Sequence, residues 1–268
     1  MSINTIDNYF KVNSLTFKQN YTKAIKIADA SSMHDLRVSV KRISALVRLI
    51  NFGKSDNYRI KNNFPHLKLV FKTAAAVRDY QVLEILLMHY QQFKDLNIEI
   101  LLEQVNKFKQ HAINEFFTGA KKFNIMAITR LFNLIASHIN NLDGIFLSQQ
   151  VPSFKSNRLI LLANYSRPES DLYNLHSARK IIKELGYLIE MSESNPSENI
   201  GELQVYKEAG RYLGEWHDRL VLLDFLIQKE KTPPFKNTGL RNIIGLLSEE
   251  KESLKNQYFD LFRSIVGS

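Results

Sequence analysis

The sequence predicts an all-α protein built from two related halves, and three observations carry that reading. Glycine and proline are scarce, at 10 and 6 of 268 residues. Leu, Ile, Lys and Glu are abundant and fall in long runs at the helical period, with no strand-like alternation between turn signals. A basic motif near residue 34 recurs about 140 residues later with its spacing kept.

Taken in order, residues 1–11 read as a polar leader, and Leu15, Phe17, Tyr21, Ala24, Ile25 and Ala28 mark a first helix from Lys11 to about Ala28. Ser31 or Ser32 is the expected cap of the next helix, with Asp35 in its first turn suiting the helix dipole, and Asn51-Phe52-Gly53 ends it. Asp56 or Asn57 opens a third helix, Pro65 kinks or restarts it, and the pattern runs on from Leu67 through Leu87. Amphipathic segments follow at 97–119 and 124–140, and their aromatics at helical spacing read as core. Asn-Asn-Leu-Asp-Gly and Pro152 predict a loop over 141–157 between the halves, with weak helix over 158–165 and a break at Ser166-Arg167-Pro168. Asp171 or Asn174 opens the second motif helix, and Ser192–Ser197 reads as a loop. Helix resumes at Ile200 or Gly201 through Leu226, Pro233-Pro234 breaks it, and 238–265 form a last amphipathic helix.

The stretch from His34 to Arg48 organises the functional reading. At roughly 100° per residue it puts His34, Arg37, Lys41 and Arg48 in one stripe and Leu36, Val40, Ile43, Leu46, Val47 and Ile50 on the other side. Cations in register repel one another unless an anion lies along them, and the guanidinium fork suits phosphate oxygens. A solvated polar face explains most such rows, but this one is repeated. His176, Arg179 and Lys183 keep the offsets of His34, Arg37 and Lys41, with Ile181, Ile182, Leu185 and Ile189 on the apolar side. A second pair follows each: Lys68-x3-Lys72-x5-Arg78-Asp79, then Lys207-x3-Arg211-x5-His217-Asp218. Two matches in the same order argue for an internal duplication.

The formal charge of +9 points to an anionic partner: nucleic acid, a polyphosphate or an acidic membrane. The chain has no cysteine, hence no disulfide framework, which fits a cytoplasmic location. Its N-terminus lacks a basic and apolar signal pattern, and no apolar run approaches the roughly 20 residues a membrane helix needs, so the expectation is a soluble protein without a membrane span.

The pattern His34-x2-Arg37-x3-Lys41-Arg42, followed by Arg78-Asp79-x2-Val82-Leu83, resembles the CHAD family, the histidine-containing α-helical domain that binds inorganic polyphosphate. Leu175-His176-Ser177-Ala178-Arg179-Lys180 and Leu213-Gly214-Glu215-Trp216-His217-Asp218 supply the second half of the pattern, and the resemblance runs from about residue 12 to about 262. It implies two antiparallel four-helix bundles related by a pseudo-twofold, with a basic channel between them. The halves would be residues 12–145 and 146–268. Inorganic polyphosphate, met free or in granules, is the implied partner; no cofactor, metal or catalysis is implied. The chain departs from the family at Ser44, where another Arg is usual, at Glu184 and Gly186 in the second half, and in the form Arg78-Asp79-Tyr80-Gln81.

The expected polyphosphate contacts are therefore His34, Arg37, Lys41, Arg48, Lys68, Lys72 and Arg78 from the first half, and His176, Arg179, Lys183, Lys207, Arg211 and His217 from the second. Arg42 and Lys180 lie off the stripes and rest on the resemblance. Asp79 and Asp218 are read as orienting a neighbouring Arg or capping a turn, and Trp216 as core. Two rivals share the same residues. One is non-specific nucleic-acid binding along the channel. The other is a metal-dependent phosphohydrolase using the His34-Asp35 and His217-Asp218 dipeptides, which the cationic surroundings oppose.

Overall fold

The protein is seen in a computed structural model that describes residues 1–54, 65–90, 98–167, 169–192, 200–232, 235 and 240–266. Among the described residues the regular structure is helical throughout: α1 (Ile3–Ile27), α2 (Ala30–Asn51), α3 (Pro65–His89), α4 (Ile98–Lys121), α5 (Ile125–Asn140), α6 (Val151–Tyr165), α7 (Leu172–Ser192), α8 (Ile200–Glu230) and α9 (Leu240–Val266). No helix among these residues is long and apolar enough to cross a membrane. The expected helix start at Asp56 or Asn57 and the loops at 193–197 and 233–234 lie outside the described residues.

The first helix starts at Ile3, earlier than the expected Lys11. Ser2 and Thr5 cap α1 reciprocally, Thr5 N–H donating to Ser2 Oγ at 3.2 Å and Ser2 N–H to Thr5 Oγ1 at 3.0 Å. Ile6 and Phe10 are 0% and 4% exposed, one turn apart and in line with Phe17 and Tyr21. The polar residues among them are the solvent side of an amphipathic helix.

α1 ends at Ala28 in the left-handed region, at φ 52°, unusual for a residue with a Cβ. Gln81 Nε2 of α3 donates to the Ala28 carbonyl at 3.3 Å, which helps hold this sharp turn. α2 is then capped by Asp29 rather than by either serine. The carboxylate accepts from Ser32 N–H at 2.9 Å and from Ser32 Oγ at 2.6 Å, and these bonds hold its pKa below the usual carboxylate value. Gly53, at φ 73°, follows the helix end as expected.

The expected loop over 141–157 is mostly helical. Asp143 Oδ1 accepts from Phe146 N–H at 2.9 Å, a π-helical turn runs through Phe146–Gln150, and α6 continues to Tyr165. Pro152 falls in the first turn of α6, where an absent amide donor costs least. α7 is opened by Asp171, whose Oδ1 accepts from Asn174 N–H at 2.8 Å.

Packing follows chain order twice. α1 packs on α2, α2 on α3 and α3 on α4; then α6 packs on α7, α7 on α8 and α8 on α9, a pattern compatible with duplication. One core gathers the inner faces of α1 to α5, with Phe132 meeting Phe10 and Phe17 edge-on at 5.8 and 5.6 Å. It also takes Phe154, Leu188 and Met191 from beyond residue 146. A second core joins α6 to α9 around Leu185, Trp216 and Tyr258. A third binds the halves together: Leu83 and Leu87 of α3 and Leu101 of α4 against Leu222 and Leu226 of α8 and Leu247 of α9. Burial of these apolar faces fixes α2 and α7 side by side, with α3 and α8 flanking them.

Candidate anion-binding site

On α2, Leu36, Val40, Ile43, Leu46 and Ile50 are buried in the first core, which forces Arg37, Lys41 and Arg48 to the other side. On α7, Leu175, Ala178, Ile182, Leu185 and Ile189 are buried in the second core, which turns His176, Arg179 and Lys183 the same way. The two basic faces border one cavity of about 340 Å³, within the size range of small-ligand sites. Lys180 lines it with them, α8 adds His217, and α3 adds Asp79 and Phe71.

Arg37, Lys41, Arg179 and Lys183 form the centre. Among the described residues none of these side chains has a carboxylate within ion-pair or hydrogen-bonding distance. Arg37 Nη1 and Arg179 Nε are buried and without a hydrogen-bond partner. Arg37 and Lys41 both sit over the Phe71 ring, at 4.9 and 5.8 Å from its centroid, and Asp79, beyond ion-pair distance, favours both charges electrostatically.

The proton affinities record the crowding. Burial, then Lys183, Arg37 and Arg179, push Lys41 down to about 7. Burial, then Arg179, push Lys183 down to about 8. Arg37 and Arg179 are lowered from their ordinary value, chiefly by burial. Burial raises Asp79 and Asp218, and the surrounding Arg and Lys charges oppose that rise. Burial and neighbouring cations lower His34 and His176, and His217, its ring 5.3 Å from that of His176, falls to about 4.

The remaining expected contacts do not all share this cavity. Arg42 is turned aside, bonded to Glu190 at 3.0 Å with its guanidinium over Tyr187 at 5.7 Å. Arg48 lines the cavity, yet its charge is met by Glu184 at 2.8 Å, and Arg158 of α6 approaches the same carboxylate at 3.3 Å. The acidic departure at Glu184 thus ties α7 to α2 and α6. His34 is exposed and does not line the cavity, though it feels the charges of Arg78, Lys41 and Lys183. Arg78 does not line it either but acts electrostatically on Arg37.

Lys68 is exposed on α3, and Lys72 borders a separate groove against α4 with His111 and Lys122. Lys207 and Arg211 border a groove between α7 and α8, where Arg211 is bonded to Glu215 at 3.2 Å. Phe71 and Tyr187 were missed as wall residues. Their spacing held the signal: Phe71 is seven before Arg78 and Tyr187 four after Lys183, each on the basic face of its helix. Among the described residues no three His, Asp or Glu side chains converge as a metal site.

No family model matches the sequence, and no curated protein matches it. Solved structures share its fold, two of them at 15% sequence identity. The crystal structure of the CHAD domain from the plant Ricinus communis aligns over 99% of this chain and 91% of its own, with a TM-score of 0.70. PptA from Streptomyces chartreusis aligns over 100% of this chain and 99% of its own, again with a TM-score of 0.70.

Proposed function

We propose that a chain with the fold of the CHAD domain, carrying this cavity, is a non-enzymatic binding module for inorganic polyphosphate, met free or in granules in the cytoplasm. The observation that carries the reading is the set of four clustered cations, Arg37, Lys41, Arg179 and Lys183, with no carboxylate partner among the described residues. Elsewhere in the same protein Arg42, Arg48, Arg158, Lys109 and Arg219 are each matched to a carboxylate. Partly buried like charges are costly, and a linear polyanion with a charge on every unit offsets that cost along its length. Arginine supplies paired donors to phosphate oxygens and lysine a mobile point charge. The wall aromatics are already covered by the protein's own cations, Phe71 by Arg37 and Tyr187 by Arg42, which disfavours base stacking and hence nucleic acid.

The test is binding of labelled long-chain polyphosphate across a salt series, with RNA as competitor. Arg37→Ala/Lys41→Ala and Arg179→Ala/Lys183→Ala should each weaken binding by roughly tenfold or more and flatten the salt dependence by about one to two units of slope. Wild-type protein that fails to bind, or that RNA displaces as readily as polyphosphate does, ends this reading. Phosphate release with added divalent metal would replace it with the hydrolase.

A further inference from the structure

Beside the central cavity a groove of about 260 Å³ runs between α7 and α8, and Lys183 and Tyr187 line both spaces. Gly186 of α7 and Gly210 of α8 both line the groove. Neither glycine is demanded by packing. A Cβ on Gly210 would meet Ile182 Cγ2 at 3.6 Å and one on Gly186 would meet Tyr206 Cβ at 3.8 Å, both ordinary contacts. Glycine inside a helix is disfavoured, and a Cβ at either position would touch only that one neighbour within 4 Å, so the two glycines widen the groove.

The first half shows what fills that space otherwise. Gly210 stands between Lys207 and Arg211 as Phe71 stands between Lys68 and Lys72. Phe71 plugs the wall beneath Arg37 and Lys41, whereas Gly210 leaves the corresponding wall open beside Lys183. Past the gap lie Lys207 and Arg211, both exposed. Arg211 is bonded to Glu208 at 3.7 Å and Glu215 at 3.2 Å, exposed pairs that an incoming polyanion exchanges readily. Glu190 also borders the groove, its charge met by Arg42. Along α2, by contrast, the cavity ends at the Arg48–Glu184 pair, where a carboxylate faces any advancing anion.

We propose that a polyphosphate chain held in the central cavity leaves it over Lys183, through the gap at Gly186 and Gly210, and runs along the α7–α8 groove past Lys207 and Arg211. The groove is thereby the element that favours long chains over short ones. This rests on the polyphosphate reading of the cavity.

The experiment compares tripolyphosphate with long-chain polyphosphate on wild type, Gly210→Phe and Lys207→Glu/Arg211→Glu, with Lys107→Glu as a distant charge control. Wild type should hold long chains roughly tenfold more tightly than tripolyphosphate at matched salt. Both groove variants should lose most of that preference while tripolyphosphate affinity stays within about twofold, and Lys107→Glu should keep it. The charge-reversal pair is exposed, so it carries the test even where Gly210→Phe melts early. Retention of the full preference in the charge-reversal pair, equal loss of both ligands in it, or a wild type without any preference overturns the groove. A wild type that binds neither ligand fails at the cavity itself, and the groove falls with it.

Discussion

Lys41 is largely buried beside Lys183, Arg37 and Arg179, and burial first, then that company, brings its pKa to about 7. Lys183 is at about 8 for the same reasons. A bound polyanion reverses the sign of the field and restores both ammonium groups. Binding therefore takes up protons, and affinity should fall as pH rises through about 7 to 8. Calorimetry in two buffers of different ionisation enthalpy measures the uptake directly. Lys41→Arg/Lys183→Arg should keep binding and flatten the profile over that window, because guanidinium stays charged. A wild-type profile flat from pH 6 to 9 would contradict the burial of these two amines. Without ligand the sign is opposite. The unfolded chain holds more protons at these lysines than the folded one between their depressed values and the ordinary 10.5, so their contribution to stability rises with pH there.

At the scale of the helix, α7 is fixed by what its acidic residues hold. Glu184 draws Arg48 from α2 and Arg158 from α6, and Glu190 draws Arg42. Glu184→Gln frees two arginines and leaves their charges beside the cavity. The variant should lose about 1–3 kcal/mol of stability, read as a lower melting temperature, yet bind polyphosphate more tightly. Weaker binding in that variant would show that the clamp shapes the cavity more than its charge opposes the ligand. These clamps also mark where the sequence stops being legible. Segments read as 97–119 and 124–140 became Ile98–Lys121 and Ile125–Asn140, because unbroken apolar periodicity is a local signal. Helix over residues 3–11 and 146–157 is hard to see in the sequence, because polar residues and Pro152 imitate loop chemistry in helices whose buried faces are sparse, at Ile6, Phe10, Phe146 and Phe154. The stripes of Arg37 and Arg179 were legible from their repeated offsets. The pairing of Arg42 with Glu190, 148 residues away, leaves no trace in spacing.

For the whole molecule, the three cores and the cavity pull in opposite directions. The cores draw the halves together through the apolar ends of α3, α4, α8 and α9, while the closure they enforce crowds Arg37, Lys41, Arg179 and Lys183 into one space. A protein holding like charges for a ligand stores instability that the ligand removes, the usual trade between function and stability. Replacing two of the charges by apolar groups of similar length separates these effects. Lys41→Met/Lys183→Met keeps the packing along α2 and α7 and removes the repulsion, so without ligand at pH 6 and low salt it should melt above wild type. Long-chain polyphosphate should then reverse the order. Wild type gains roughly 2.7 kcal/mol at a free ligand concentration one hundred times Kd, while the variant, binding weakly, gains little. High salt should narrow the first difference, because added ions screen the repulsion. If the unliganded variant melts below wild type at every salt concentration, the four cations stabilise the fold and are not held in wait for an anion.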